Sequence, residues 1–192
     1  MLLDNIIRYL PTSNNNKTII FVRHAEREEG KGKLLTDIGI QNSGKFGTEL
    51  SKLNQSIKIY TAPELRCVQT AEIINQKISS MEQDIIISNK LANLQIKNND
   101  LYNRLYRETN FIYKKLYLKW KKGCHYDALF SPDELFNRTM TFINSTSENN
   151  NITLYISQSG TIAHIGFALN KLNYDDSEDS WINFLDGFII KL

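Results

Sequence analysis

The hydrophobic pattern of the chain alternates between short β-branched runs and longer stretches with helical spacing. Residues 17–22, Lys-Thr-Ile-Ile-Phe-Val, form an unbroken apolar run after one lysine. Such a run predicts a strand covered on both faces of a sheet. Similar runs predict further strands at 57–60, 85–87 and 152–157, and an apolar closing strand at 187–192. Leu2, Leu3, Ile6, Ile7 and Leu10 predict a short amphipathic helix that Pro11 stops. Thr36 and Asp37 read as the cap and first turn of a helix with an apolar stripe of Ile38, Phe46, Leu50 and Leu53. Gly39, Gly44 and Gly47 within it predict close approach to a strand or a ligand. A helix is expected over 64–77. Leu101, Leu105, Ile112, Leu116 and Trp120 predict one long helix over 100–122. Ser131 and Pro132 open another, to about residue 147, and a last helix covers 162–169. Residues 12–16, 28–33 and 149–151 are polar loops, the second charged and expected to be mobile.

Strands alternating with helices predict an α/β fold, a three-layer α-β-α arrangement with a largely parallel sheet. A length of 192 residues fits a single domain over 1–192, with a helical insertion at about 98–130. A hydrophobic fraction of 41% supports a sizeable core, and the net charge of +2 favours neither a nucleic-acid binder nor an acidic tail protein. The basic, aromatic stretch of Tyr113, Lys114, Lys115, Tyr117, Lys119, Lys121 and Lys122 reads first as a solvated helix face. A second reading has its lysines steer a phosphorylated substrate inward.

Cys67 and Cys124 show no metal-type spacing and fit a reducing compartment. The first ten residues contain Asp4 and Arg8 and do not resemble a secretory signal. No apolar run reaches the ~18 residues of a membrane span. A cytoplasmic protein without membrane, nucleic-acid, metal or cofactor partners is expected; the oligomeric state is open.

The chemistry gathers at strand exits. Arg23 and His24 follow the first strand, Arg66 lies in the first turn after the second, and Gln158, Ser159 and Gly160 follow the fourth. Right-handed crossovers bring such exits to one sheet edge, where ligands of open α/β sheets bind. Two guanidinium groups around an imidazole suit a phosphate. Ser159 lacks the full Gly-x-Ser-x-Gly of a serine hydrolase, and His125 beside Cys124 does not make a metal site. Packing roles are expected for Cys67 and His164.

From about residue 17 onward the chain resembles the histidine phosphatase, or phosphoglycerate mutase-like, superfamily. Val22-Arg23-His24-Ala25-Glu26 looks like its Arg-His-Ala-Glu signature. Leu35-Thr36-Asp37-Ile38-Gly39 is similar to its Leu-Thr-x-x-Gly helix start. The segment from Tyr60 through Pro63, Arg66, Gln69 and Thr70 to Ala71 looks like its Ser-Ser-Pro-x-x-Arg-x-x-Gln-Thr-Ala. The resemblance implies two-step phosphoryl transfer, with His24 attacking phosphorus and Arg23 and Arg66 holding the equatorial oxygens. The implied catalytic set is His24, Arg23, Arg66 and Gln158. Arg23, Arg66, Arg27, Gln158, Ser159 and Gly160 are the expected substrate contacts, and no metal is required.

Two positions depart from the family pattern. Gln158 stands where a second histidine is usual; it donates a hydrogen bond but carries no charge. Asn93 stands where many members have a general-acid glutamate, with Glu26, Glu28, Asp100 and His125 as nearby titratable substitutes. The expected function is therefore a phosphohydrolase acting through a phosphohistidine on a phosphorylated small molecule or protein, with turnover impaired at these positions. The alternative is a degenerate member that binds a phosphorylated ligand or partner without turnover.

Overall fold

Five strands form one sheet in the computed structural model: β1 (Thr18–Arg23), β2 (Ile57–Thr61), β3 (Ile86–Ile87), β4 (Ile152–Ser157) and β5 (Gly187–Lys191). The structure describes residues 17–30, 33–78, 84–147 and 151–192. The helix expected near residues 2–10, the loop at 12–16, and parts of the loops at 28–33 and 149–151 lie outside the described residues. The strand order is β3-β2-β4-β1-β5, with β5 antiparallel to β1 and the other pairings parallel. The apolar runs fill the sheet as their sequence implies: β4 is buried throughout, and β1 up to Val22. Phe21 stacks on Tyr155 and Phe188 across three neighbouring strands, with centroids 4.7 and 5.1 Å away.

Helices flank the sheet. α1 (Asp37–Ser51) packs on α2 (Leu65–Ile78). Gly39 and Gly47 permit the close approach foreseen for them, but to other backbone than expected. A Cβ on Gly39 would meet Glu26 O at 2.0 Å, and one on Gly47 would meet Ile74 O at 2.7 Å. The neighbours are the loop after β1 and the facing helix, neither a strand nor a ligand.

Beyond β3 lie α3 (Asn89–Asn93), α4 (Asn99–Glu108), α5 (Tyr113–Lys121) and α6 (Pro132–Thr146), the last with the capping box of Ser131 and Glu134. α3, α5 and α6 pack around α7 (Ser159–Ala168). α7 is apolar on all sides and buried from Ser159 to Gly166, as such a helix must be.

Two elements differ from the sequence reading by more than a residue or so. The single helix expected over 100–122 is broken between α4 and α5. Asn110 and Phe111 adopt left-handed φ values of 53° and 60°, which no continuous helix accommodates. The break brings Tyr106 and Tyr113 into stacking contact, centroids 4.3 Å apart. In an unbroken helix residues seven apart are about 10.5 Å apart along the axis. α7 begins at Ser159, three residues earlier than expected, because Ile162 N already donates to Gln158 O at 3.0 Å.

Candidate functional site

The parallel register brings three strand exits together. Arg23 pairs with Ser157, so His24 N donates to Ser157 O at 2.9 Å as β1 ends. Ala62 N donates to Ile156 O at 2.9 Å as β2 ends. The residues that follow, His24, Glu64–Arg66 and Gln158, therefore share one edge of the sheet.

His24 is buried, with 3% of its surface exposed. Its Nδ1 lies 2.8 Å from Ala25 O and its Nε2 lies 3.0 Å from Arg66 Nε. Arg66 can only donate, so Nε2 accepts and Nδ1 carries the proton that it donates to Ala25 O. Burial, and then the charges of Arg23, Arg66 and Arg27, push the imidazole pKa down to about 3. The ring is neutral at physiological pH, with the Nε2 lone pair directed at a guanidinium.

The loop carrying His24 is fixed by the segment that resembles the Gln-Thr-Ala motif. Ala25 N donates to Thr70 Oγ1 at 3.1 Å, and that hydroxyl donates to Arg66 O at 2.7 Å. Leu35 N donates to Gln69 Oε1 at 2.9 Å. One turn of α2 thus holds the nucleophile candidate, the arginine facing it and the start of the Leu-Thr segment.

Gln158 joins the cluster through both ends of its amide. Oε1 accepts from Arg66 Nη2 at 2.9 Å and from the Tyr113 hydroxyl at 3.2 Å. Nε2 donates to Glu64 Oε1 at 2.5 Å. Ser159 and Gly160 open α7, whose first-turn N–H groups favour an anion. Gly160 is glycine because Tyr113 packs on it: a Cβ there would meet Tyr113 Cδ1 at 2.8 Å.

The other predicted contacts are less direct. Arg23 Nη1 donates to Ile182 O at 2.6 Å, and its guanidinium lies 4.0 Å from the Phe184 ring centroid. Burial and the charges of Arg27 and Arg66 push its pKa down to about 10. Arg27 donates to Glu28 O and Gly30 O, bracing its own loop. Asn93 is exposed at the end of α3. Lys114 and Lys121 donate to the carbonyls of Ser177 and Tyr174, so these two lysines brace the chain before β5.

Three residues of the cluster were not anticipated. Glu64 lies within the quoted Pro63–Arg66 segment, and its charge at a strand exit was the available signal. Tyr113 reaches Gln158 only because the helix breaks after α4. Phe184, whose ring centroid is 5.7 Å from that of His24, comes from the loop before β5 and carries no sequence signal. His164 has the packing role expected of it: buried beside Trp120, it hydrogen-bonds Gly160 O at 2.7 Å, and burial lowers its pKa to about 4. Among the described residues no group of His, Cys, Asp and Glu could hold a metal ion, and no helix is long and apolar enough to cross a membrane.

The fold is shared with solved structures of low sequence identity. Phosphoglycerate mutase from Bacillus anthracis superposes with a TM-score of 0.57 at 14% identity, covering 94% of this chain and 88% of that one. A mycobacterial glucosyl-3-phosphoglycerate phosphatase gives 0.55 at 13% identity, covering 83% and 82%. Phosphoserine phosphatase from Entamoeba histolytica, in complex with 3-phosphoglyceric acid, gives 0.52 at 22% identity, covering 81% and 80%. No curated protein sequence matches the chain significantly. The sequence profile of the histidine phosphatase superfamily (branch 1) matches residues 19–179, a span that holds the His24 loop, the Arg66 helix and the Gln158 turn, and the chain belongs to that superfamily.

Proposed function

We propose that the protein is a phosphomonoesterase that transfers the phosphoryl group of its substrate to His24 Nε2 and then to water. The observation that carries this reading is the state of His24. It is neutral, its proton is held on Nδ1 by Ala25 O, and Nε2 faces the Arg66 guanidinium. A phosphate entering beside Arg66 meets an unprotonated nucleophile and a fork of donors for its oxygens. Arg23 and the first turn of α7 add positive potential to the same edge. Positioned charge of this kind is the main source of rate in phosphoryl transfer.

The substrate is a phosphorylated small molecule or a phosphorylated protein. The Entamoeba phosphoserine phosphatase, described in complex with 3-phosphoglyceric acid and in a mutant with phosphoserine, makes small phosphorylated acids the first substrates to test.

One observation favours a second reading, binding without turnover. Gln158 occupies Arg66 Nη2 and is itself tied to Glu64, so a neutral amide is bound to the guanidinium that would hold phosphate. Quenching a reaction with p-nitrophenyl phosphate and assaying acid-labile phosphate on the protein separates the two. A phosphohistidine in the native chain that is absent in His24→Ala supports the enzyme. Phosphate binding without label or product in either protein supports the binder.

A further inference from the structure

A phosphomonoesterase acting on alkyl esters has to protonate its leaving oxygen, and Asn93, where the family resemblance places the usual acid, is exposed and cannot donate a proton. The three carboxylates among the nearby substitutes suggested by the sequence are otherwise engaged or exposed. Glu26 Oε1 accepts from Thr36 Oγ1 at the start of α1. Glu28 is exposed and faces Lys33 at 3.8 Å, and Asp100 is exposed in the first turn of α4.

Glu64 is different. It stands two residues before Arg66, at the exit of β2, and its Oε1 accepts from Gln158 in the cluster around His24. Its Oε2 is buried and has no hydrogen-bond partner. Leaving a buried acceptor unmatched is destabilising, and more so for a charged one. An oxygen of this kind, in the cluster that Gln158 and Arg66 link to His24, is explained by a partner that arrives with the substrate.

The amide between Glu64 and Arg66 completes the arrangement. Gln158 presents its N–H to the carboxyl and its C=O to the guanidinium. It stands between the two groups and bonds to both.

We propose that Glu64 is the proton donor and acceptor of the reaction, which deepens the phosphomonoesterase reading and rests on it. In the first step the His24 Nε2–P bond forms, the ester P–O bond breaks, and the protonated Glu64 carboxyl gives its proton to the departing oxygen. In the second step water attacks the phosphohistidine, its proton passes to the Glu64 carboxylate, and the P–N bond breaks. Inorganic phosphate leaves, and His24 and Glu64 return to their starting states.

The test is the dependence of kcat/KM on the leaving group, from p-nitrophenyl phosphate to simple alkyl phosphates, in the native chain, Glu64→Gln and Glu64→Asp. General acid catalysis is typically worth 10²–10⁴-fold. Glu64→Gln is expected to lose about that factor on alkyl phosphates and less than about tenfold on p-nitrophenyl phosphate. Phosphohistidine is expected to accumulate in it, because the second step loses its base. Glu64→Asp, which keeps a carboxyl, is expected to restore part of the alkyl activity. An equal loss on both ester classes would overturn the proposal by showing a structural role, and no loss would overturn it outright. If the native chain turns over while the aryl-to-alkyl ratio is the same in all three proteins, Glu64 alone is misassigned. If the native chain forms neither product nor phosphohistidine, the phosphomonoesterase reading fails, and this proposal fails with it.

Discussion

Arg66 Nε donates to His24 Nε2 across 3.0 Å, so the proposed phosphate ligand adds its charge to the burial that keeps the His24 ring neutral. A single substitution tests both functions. Arg66→Ala is expected to weaken phosphate binding by about 1.5–3 kcal/mol, the range for hydrogen bonds to charged groups. It is also expected to raise the His24 pKa, since Arg66 is one of the charges that depress it. Phosphate titration followed by calorimetry and an NMR titration of the imidazole check both parts. Unchanged phosphate affinity would place Arg66 outside the pocket.

Two buried histidines set a pH dependence of stability. An unfolded histidine titrates near 6.5, whereas folded His24 titrates near 3 and folded His164 near 4. Below pH 6.5 the unfolded chain binds protons that the folded chain refuses, so acid favours unfolding. Stability is full above that pH and falls as pH drops toward 4 and then 3, by up to ~1.4 kcal/mol per pH unit for each histidine. Urea midpoints measured between pH 7.5 and 5 are expected to decline, with about half the slope in His164→Asn. A flat profile would mean that neither ring is held neutral by burial.

Gln158 keeps hydrogen bonds to Arg66, Tyr113 and Glu64 but supplies no charge. Loss of one electrostatic donor to a transition state typically lowers the rate by about 10²–10³-fold. Gln158→His is therefore expected to raise turnover of p-nitrophenyl phosphate by at least about tenfold, with a smaller change in phosphate affinity. Steady-state kinetics and phosphate inhibition read the two effects. No gain in rate, with the fold intact, moves the binding-only reading ahead.

Gly160 and Tyr113 are coupled by contact. Gly160→Ala places a methyl 2.8 Å from the Tyr113 ring and is expected to destabilise the fold by about 1–3 kcal/mol, the usual range for overpacking. In a Tyr113→Ala background the same substitution should cost much less. A denaturation double-mutant cycle measures the difference, and simple additivity would mean that the ring moves away freely.

Much of the fold was legible because local and tertiary preferences agree. The apolar runs at β1 and β4, the Thr36 cap and the Ser131–Pro132 start all appear where sequence places them. His24, Arg66 and Gln158 could be brought together from topology alone, since each follows a strand in a parallel sheet. The α4–α5 break was not legible, because Leu105, Ile112 and Leu116 keep helical spacing straight across it. Asn110 was the local hint, as asparagine tolerates the left-handed conformation. Tyr113 and Phe184 reach the cluster only through that break and through the loop before β5. Glu64 was visible within a recognised segment, but its partner Gln158 is remote in sequence and only the folded chain pairs them.

The placement of β1 also governs when the cluster can exist during synthesis. Both sheet neighbours of β1, β4 and β5, come from residues beyond 151. A nascent chain that has emerged only as far as α6 carries β1, the strand before His24, with no partner on either side. Pairing over such sequence separation is slow, and unpaired apolar strands invite association with other chains. The strand that leads to His24 is thus among the last parts to be secured. Truncation before β4 should yield an aggregating polypeptide rather than a partly active one.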